Sequence, residues 1–280
     1  MTEHANPVSQ SSNSDSKKSY YDVVAEQYDA ISSSNIHLAE NQILQSIFQA
    51  LVVERGSEIK QLLDFGCGTG LGYELSREHL CLSKDSKYIG YDVSEEMLKV
   101  CAQKHSQSLG VQIELHQSNI NEMSAEDMPK NSDAILMTFG SFSYVEDPKQ
   151  FFTNVRQVLS PGNGHILLMA YSRFSIRNQL MAKKTGDQSY LDSHRAYAFR
   201  NDSTECEKTL AYFYTSEQLS ALAYDAGFQH IDIKGMNFNS VEETDCPSID
   251  IAIQKLREEM ARAVNQNDAH ALILTARNYA

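Results

Sequence analysis

The stretch Leu62-Leu63-Asp64-Phe65-Gly66-Cys67-Gly68-Thr69-Gly70 decides how this chain reads. An apolar run enters a turn with glycine at every second position, and a helix-like run follows from residue 72 to about residue 80. Glycine removes the Cβ atoms that would hold a ligand off the backbone, and it tolerates unusual φ/ψ. Amide N–H groups at the start of the following helix can face an anion or a carboxylate. A strand that ends in such a turn and leads into a helix is therefore a place for a ligand. Spacing narrows the choice. A dinucleotide fingerprint needs G-x-G-x-x-G. Counted from Gly66 the third glycine would fall on Leu71, and counted from Gly68 on Tyr73. That disfavours an NAD-dependent dehydrogenase. Taken alone, the stretch also suits an ordinary tight turn of an α/β protein.

Composition sets outer limits. The 280 residues allow one large domain or two small ones, and 41% hydrophobic content is ample for a core. A net charge of −13 disfavours nonspecific binding to nucleic acid or to anionic membranes, whose phosphates repel such a surface. No apolar run approaches 18 residues, so no membrane span is expected, and the absence of a charged-then-apolar start points to the cytoplasm. The five cysteines, Cys67, Cys81, Cys101, Cys206 and Cys246, lack metal-ligand spacing. Their odd number argues against a full disulfide framework, so reduced thiols and no metal are expected. Residues 1–18 are mostly Ser, Asn, Gln and Lys and read as a disordered tail, leaving 19–280 as the folded domain.

Outward from the glycine turn, strands and helices alternate. Ile43, Leu44, Ile47, Phe48 and Leu51 keep helical periodicity before the opening strand at 61–65. Tyr88-Ile89-Gly90-Tyr91-Asp92 reads as a second strand ending in a carboxylate, followed by Ser94 as a helix N-cap with Glu95 and Glu96 in the first turn. Val111, Ile113 and Leu115 alternate with polar residues in a half-buried third strand that runs into Ser118-Asn119-Ile120. Residues 134–139 are continuously apolar, as a central parallel strand should be. After a stretch of small residues, Asp147-Pro148 starts a helix whose buried face is Phe151, Phe152, Val155, Val158 and Leu159, and residues 165–170 form a fifth strand. Further on, Thr215 and Gln218 make a capping box, and 228–236 reads as a strand. Ile249, Ile253, Leu256 and Met260 mark a helix, and 271–276 is a last apolar strand. With right-handed crossovers these units give a doubly wound, mostly parallel α/β sheet with helices on both faces.

Several segments together resemble the class I S-adenosylmethionine (SAM)-dependent methyltransferases of the small-molecule type. They are Asp64 followed by G-x-G-x-G, the run Y-D-x-x-A-x-x-Y-D at residues 21–29, and the turn L-x-P-G-x-G at residues 159–164. The resemblance implies a seven-stranded sheet in the order 3-2-1-4-5-7-6, with the last strand antiparallel. It implies SAM as cofactor and S-adenosylhomocysteine (SAH) as product. The implied cofactor site comprises Asp64, Gly66, Cys67, Gly68 and Gly70 on the first turn, with Asp92 and Val93 after the second strand. Asp92, 22 residues beyond Gly70, would accept from ribose hydroxyls, or else cap the helix that follows. Met97 is core or borders the adenine. Asn119 stands where the family usually has Asp; with Ile120 it would meet the adenine, or else it forms a simple Asx turn. Phe139 and Gly140 would face the methionine part. Tyr21 and Tyr28 would close over the cofactor, where a Tyr face suits a sulfonium, or else only pack on the core.

Residues 172–212 break the pattern. Up to Arg200 they carry Arg173, Arg177, Lys183, Lys184, Arg195 and Arg200 against Asp187 and Asp192, with Tyr190, Tyr197 and Phe199 interleaved. We read this stretch as an inserted cap over the acceptor site, suited to an anionic or aromatic small molecule. Methyl transfer needs positioning more than a fixed triad. Tyr144 and His194 are the polar candidates for a catalytic role. The rival readings are a protein or peptide methyltransferase and a cofactor-binding protein that does not methylate. A monomer and a homodimer are equally open.

Overall fold

Strand β1 (Ile59–Phe65) occupies the centre of the sheet. It pairs in parallel with β2 (Leu82–Asp92) on one side and with β4 (Ala134–Met137) on the other. The computed structural model describes residues 19–31, 33–77, 82–106, 110–197, 209–238 and 241–279. The tail expected at residues 1–18, and Cys81, Phe199, Arg200 and Cys206, lie outside the described residues. Strand β3 (Gln112–Gln117) adds in parallel to β2, and β5 (Gly164–Ser172) to β4. Strand β9 (Ala271–Asn278) runs antiparallel to β5 from Gly164 to Tyr171, and β8 (Phe228–Met236) runs antiparallel to β9. Counting only these seven strands in chain order, the sheet reads 3-2-1-4-5-7-6, as expected.

A hairpin of β6 (His194–Tyr197) and β7 (Thr209–Tyr214) is added at the carboxyl end of β5, through Tyr171 opposite Phe213 and Ser172 opposite Tyr214. The described part of 172–212 is therefore not irregular: helix α7 (Ile176–Thr185) and this hairpin occupy most of it.

The sheet's two faces are separated by the strand period of two. Leu63, Phe65, Ile89 and Ile135 share a core with Phe152 and Val155 of α6 (Pro148–Val158) and Leu219 of α8 (Ser216–Asp225). Leu62, Tyr88 and Leu136 point to the other face. There they meet Ile43, Leu44 and Phe48 of α3 (Asn35–Arg55) and Leu256 of α9 (Ile249–Arg262). Every residue of β4 and β5 is buried, which explains why they read as unbroken apolar runs, whereas edge strand β3 is half exposed. Helix starts follow the expected caps: Ser94 before α5 (Glu95–His105), Asp147 with Pro148 before α6, and the Thr215–Gln218 capping box before α8. Helix α4 (Leu71–Arg77) follows the glycine turn. Two short helices, α1 (Tyr20–Val24) and α2 (Tyr28–Ile31), form a strap ahead of α3. Among the described residues, no helix is long and apolar enough to cross a membrane.

Candidate active site

A crevice of about 380 Å³ opens at the carboxyl ends of β1, β2 and β4. Its floor is the glycine turn. The amides of Gly66 and Cys67 both donate to the Tyr91 carbonyl, at 2.8 and 3.1 Å, which ties the turn to the end of β2. Gly66 and Gly68 have φ of +73° and +52°, a region that side chains resist. A Cβ on Gly68 would meet nothing within 4 Å, so this glycine faces open space. Asp92 stands beside it. One carboxylate oxygen accepts from the Gly68 amide at 2.8 Å and the other from the Ser94 amide at 2.9 Å. Each oxygen keeps acceptor capacity for a further donor. Burial pushes the Asp92 pKa up, and the Ser94, Gly68 and Val93 amides pull it back. Burial also holds the Cys67 thiol well above its usual range, so it is protonated and no nucleophile.

Asp64 does not line the crevice. It is fully buried below the turn, accepts the Tyr88 hydroxyl at 2.6 Å, and leaves its other oxygen without a partner. Gly72 presses so closely on it that a Cβ there would lie 2.1 Å from Asp64 Oδ2. Burial raises the Asp64 pKa to about 7, against the lowering effect of the Tyr88 bond.

The strap is pinned over the turn by two aspartates. Asp22 accepts the Ser94 hydroxyl at 2.5 Å. Asp29 accepts the Thr69 hydroxyl at 2.6 Å with one oxygen and the Lys104 ammonium at 2.6 Å with the other. Met97 is buried against Tyr20, Val24 and Ala25 of the strap and also reaches the crevice. Tyr21 lies 6.4 Å from Tyr28 and 6.3 Å from Tyr144, perpendicular to the latter. The Tyr21 and Tyr144 hydroxyls are 3.3 Å apart. Burial raises the Tyr21 pKa well above its ordinary value and that of Tyr28 to about 12, so both phenols stay neutral.

Beyond β4, Phe139 takes φ of +54° and its amide meets Met169 Sδ. Asn121 joins this segment to the end of β3: its side chain donates to the Tyr144 carbonyl at 3.0 Å and accepts the Glu146 amide at 2.9 Å. Asn119 forms the Asx turn, accepting from the Asn121 amide at 3.1 Å. Leu210 and Tyr212 of β7 complete the lining.

Of the residues expected at the site, Tyr21, Tyr28, Gly66, Cys67, Gly68, Asp92, Val93, Met97, Asn119, Ile120, Phe139 and Tyr144 line this one crevice. Asp64, Gly70, Gly140 and His194 do not. Gly70 packs on Cys101 and His105, and Gly140 on the ring of Tyr171. His194 is exposed on the hairpin, beside Ser193 and 6.2 Å from the Tyr212 ring, so it is not placed to act as a base in the crevice. Tyr212, Leu210, Asn121 and Glu146 were not anticipated. The β-rich composition of Thr209-Leu210-Ala211-Tyr212-Phe213-Tyr214 was the available signal for the first two.

The charge of the crevice also differs from expectation. Among the described residues its charged lining is Asp92 and Glu146, both acidic. Arg173 donates to the Leu191 carbonyl and lies over Phe174. Arg195 lies 3.9 Å over the Phe213 ring and donates to Asn178. Lys183 and Lys184 are exposed at the end of α7. Arg173 and Arg195 thus hold this segment's own structure, and none of Arg173, Arg177, Lys183, Lys184 and Arg195 lines the crevice. A wider groove of about 710 Å³ between α3, β8 and α9 lies away from the strand carboxyl ends and has no part of the glycine turn.

Comparison with known proteins agrees with this geometry. Residues 63–166 match the family described as Methyltransferase domain. A SAM-dependent methyltransferase of Methanosarcina mazei superposes with a TM-score of 0.52 at 18% identity, over 80% of this chain and 94% of that one. One from Clostridium acetobutylicum gives 0.55 at 15% identity, over 92% and 97%. Phosphoethanolamine N-methyltransferase 2 of Haemonchus contortus, crystallised with phosphomonomethylethanolamine and SAH, gives 0.50 at 16%, over 84% of this chain and 53% of that one. At such identities the likeness establishes the fold. No curated protein matches the chain. The family match covers residues 63–166, and the solved structures share the fold of SAM-dependent methyltransferases.

Proposed function

We propose that this protein transfers a methyl group from SAM to a small-molecule acceptor held in the crevice. The observation that carries the reading is the lining: strap, glycine turn, β4 loop and β7 together border a crevice of about 380 Å³. Such a volume suits a cofactor with a small acceptor, and a protein surface would need an open face. The fit to SAM rests on the donor set. Open-faced backbone at Gly68, a carboxylate at Asp92 with spare acceptor capacity and an apolar Met97 suit a nucleoside that carries an amino acid.

When bound, SAM supplies a methyl group activated by a positively charged sulfur. Asp92 would hold the ribose hydroxyls, and the open face at Gly68 would let the methionine part approach the turn. Asn119, Ile120, Val93 and Met97 would border the adenine. Tyr21 and Tyr28, kept neutral by burial, would offer ring faces to the sulfonium, worth about 0.5–2 kcal/mol each. Tyr144 touches the Tyr21 hydroxyl and would orient the acceptor. No residue here needs to act as a strong base. Holding the acceptor in line can by itself supply roughly 7–11 kcal/mol of barrier reduction.

The test is SAH release from labelled SAM in two fractions of cell extract, one below roughly 3 kDa and one containing only macromolecules. Turnover with the small-molecule fraction is expected. Turnover confined to the macromolecular fraction would replace the reading with a protein methyltransferase.

A further inference from the structure

Resting on that reading, we propose that the acceptor is an amine, recognised by a tyrosine corner and the Glu146 carboxylate. Tyr21 and Tyr144 set two ring planes at 90° on the crevice wall, and Tyr28 adds a third ring tilted 57° to Tyr21. Tyr212 lines the same space from β7. Aromatic faces at differing angles favour a compact cation, through the negative quadrupole of each ring. Charge points the same way. Asp92 and Glu146 are the charged groups of the crevice among the described residues, and both are acidic. A carboxylate or phosphate acceptor would stand here beside two like charges, with no basic side chain in the described lining to pair with.

The two acidic groups have different places. Asp92 is tied to the glycine turn and serves the cofactor end. Glu146 follows Tyr144 on the β4 loop and is exposed, with its backbone held by Asn121. It therefore stands where an incoming ammonium would first meet the crevice. The ammonium form gives up its proton to water at this open side. The free nitrogen lone pair then forms the N–C bond while the S–C bond of the donor breaks, its electron pair remaining on sulfur. The methylated amine takes up the positive charge that sulfur loses.

The test reads binding, using the full chain loaded with SAH and isothermal titration with three size-matched pairs. They are phenethylamine with 3-phenylpropanoate, tryptamine with indole-3-propanoate, and butylamine with pentanoate. Amines are expected to bind at least about tenfold tighter than their carboxylate partners. Glu146→Gln should reduce that preference about threefold or more, and Tyr144→Leu should weaken amine binding about tenfold while Tyr144→Phe retains most of it. SAH affinity should stay within about twofold in the Glu146 variant. Carboxylates binding as well as amines, or no amine binding below about 10 mM to the SAH-loaded protein, would overturn the proposal. If SAH itself does not bind, the methyl-transfer reading falls first and takes this one with it.

Discussion

The two walls of the crevice are built by different means. One is backbone and a single carboxylate, drawn from residues 66–92 and tied by bonds of the Gly66, Cys67 and Gly68 amides to the end of β2. The other is made of side chains brought from far apart: Tyr21 and Tyr144 touch across 123 positions of sequence, and Tyr212 comes from a later hairpin. The first wall can be made by any chain that has the strand, the turn and the next strand. The second depends on the whole fold. A common cofactor and an individual acceptor would divide between walls in this way.

The largest expected effect tests the first wall from below. Asp64 has a pKa raised to about 7, so the folded protein holds its proton over a range where the unfolded chain, near the ordinary carboxylate value, has lost it. In that range the folded state binds more protons, and stability falls as pH rises from about 4 to about 7. Relative to Asp64→Asn, the wild type should lose on the order of 4 kcal/mol across this window. Urea unfolding of both proteins at pH 5 and pH 8 checks it; parallel curves would mean the carboxyl is not uncompensated.

Next in size is Gly72→Ala. The new methyl would lie 2.1 Å from a buried carboxylate oxygen, so it should cost about 3 kcal/mol even though alanine is the better helix former. A melting temperature unchanged from wild type would refute the packing. Asp92→Ala should weaken SAH binding by about 1.5–3 kcal/mol with the fold intact, since Asp92 is on the crevice and is not in the core. Titration calorimetry decides it, and unaltered affinity would remove Asp92 from the cofactor site. Smallest is Asp29→Asn, which weakens the strap's hold on Thr69 and Lys104. Because the ion pair is partly exposed, about 1 kcal/mol is expected, seen as faster hydrogen exchange of residues 20–31 and faster SAH release. If exchange there matches wild type, the pins do not hold the strap.

Much of the frame was legible in the chain. Leu62 and Leu63 face opposite cores because strand side chains alternate. Unbroken apolar runs at β4 and β5 mark strands covered on both faces. Caps at Ser94, Asp147 and Thr215 lie where their side chains fit the first free amides. The hairpin was not legible, because β6 and β7 are short and lie far from each other in sequence. Asn119 reads the same from sequence whether it meets a ligand or turns the chain, and the structure displays the turn.

By itself, then, the sequence determined the succession of strands along the chain, the glycine turn and the carboxylate that ends the second strand, while the order of strands in the sheet came only with the family resemblance. These depend on side-chain period and on backbone freedom, which are properties of neighbouring residues. Tertiary structure alone decided that Asp64 is buried beneath the site, that His194 faces solvent, and that the charged lining of the crevice is acidic among the described residues. Burial and charge balance at a point are sums over segments distant in the chain, and no local pattern carries that sum.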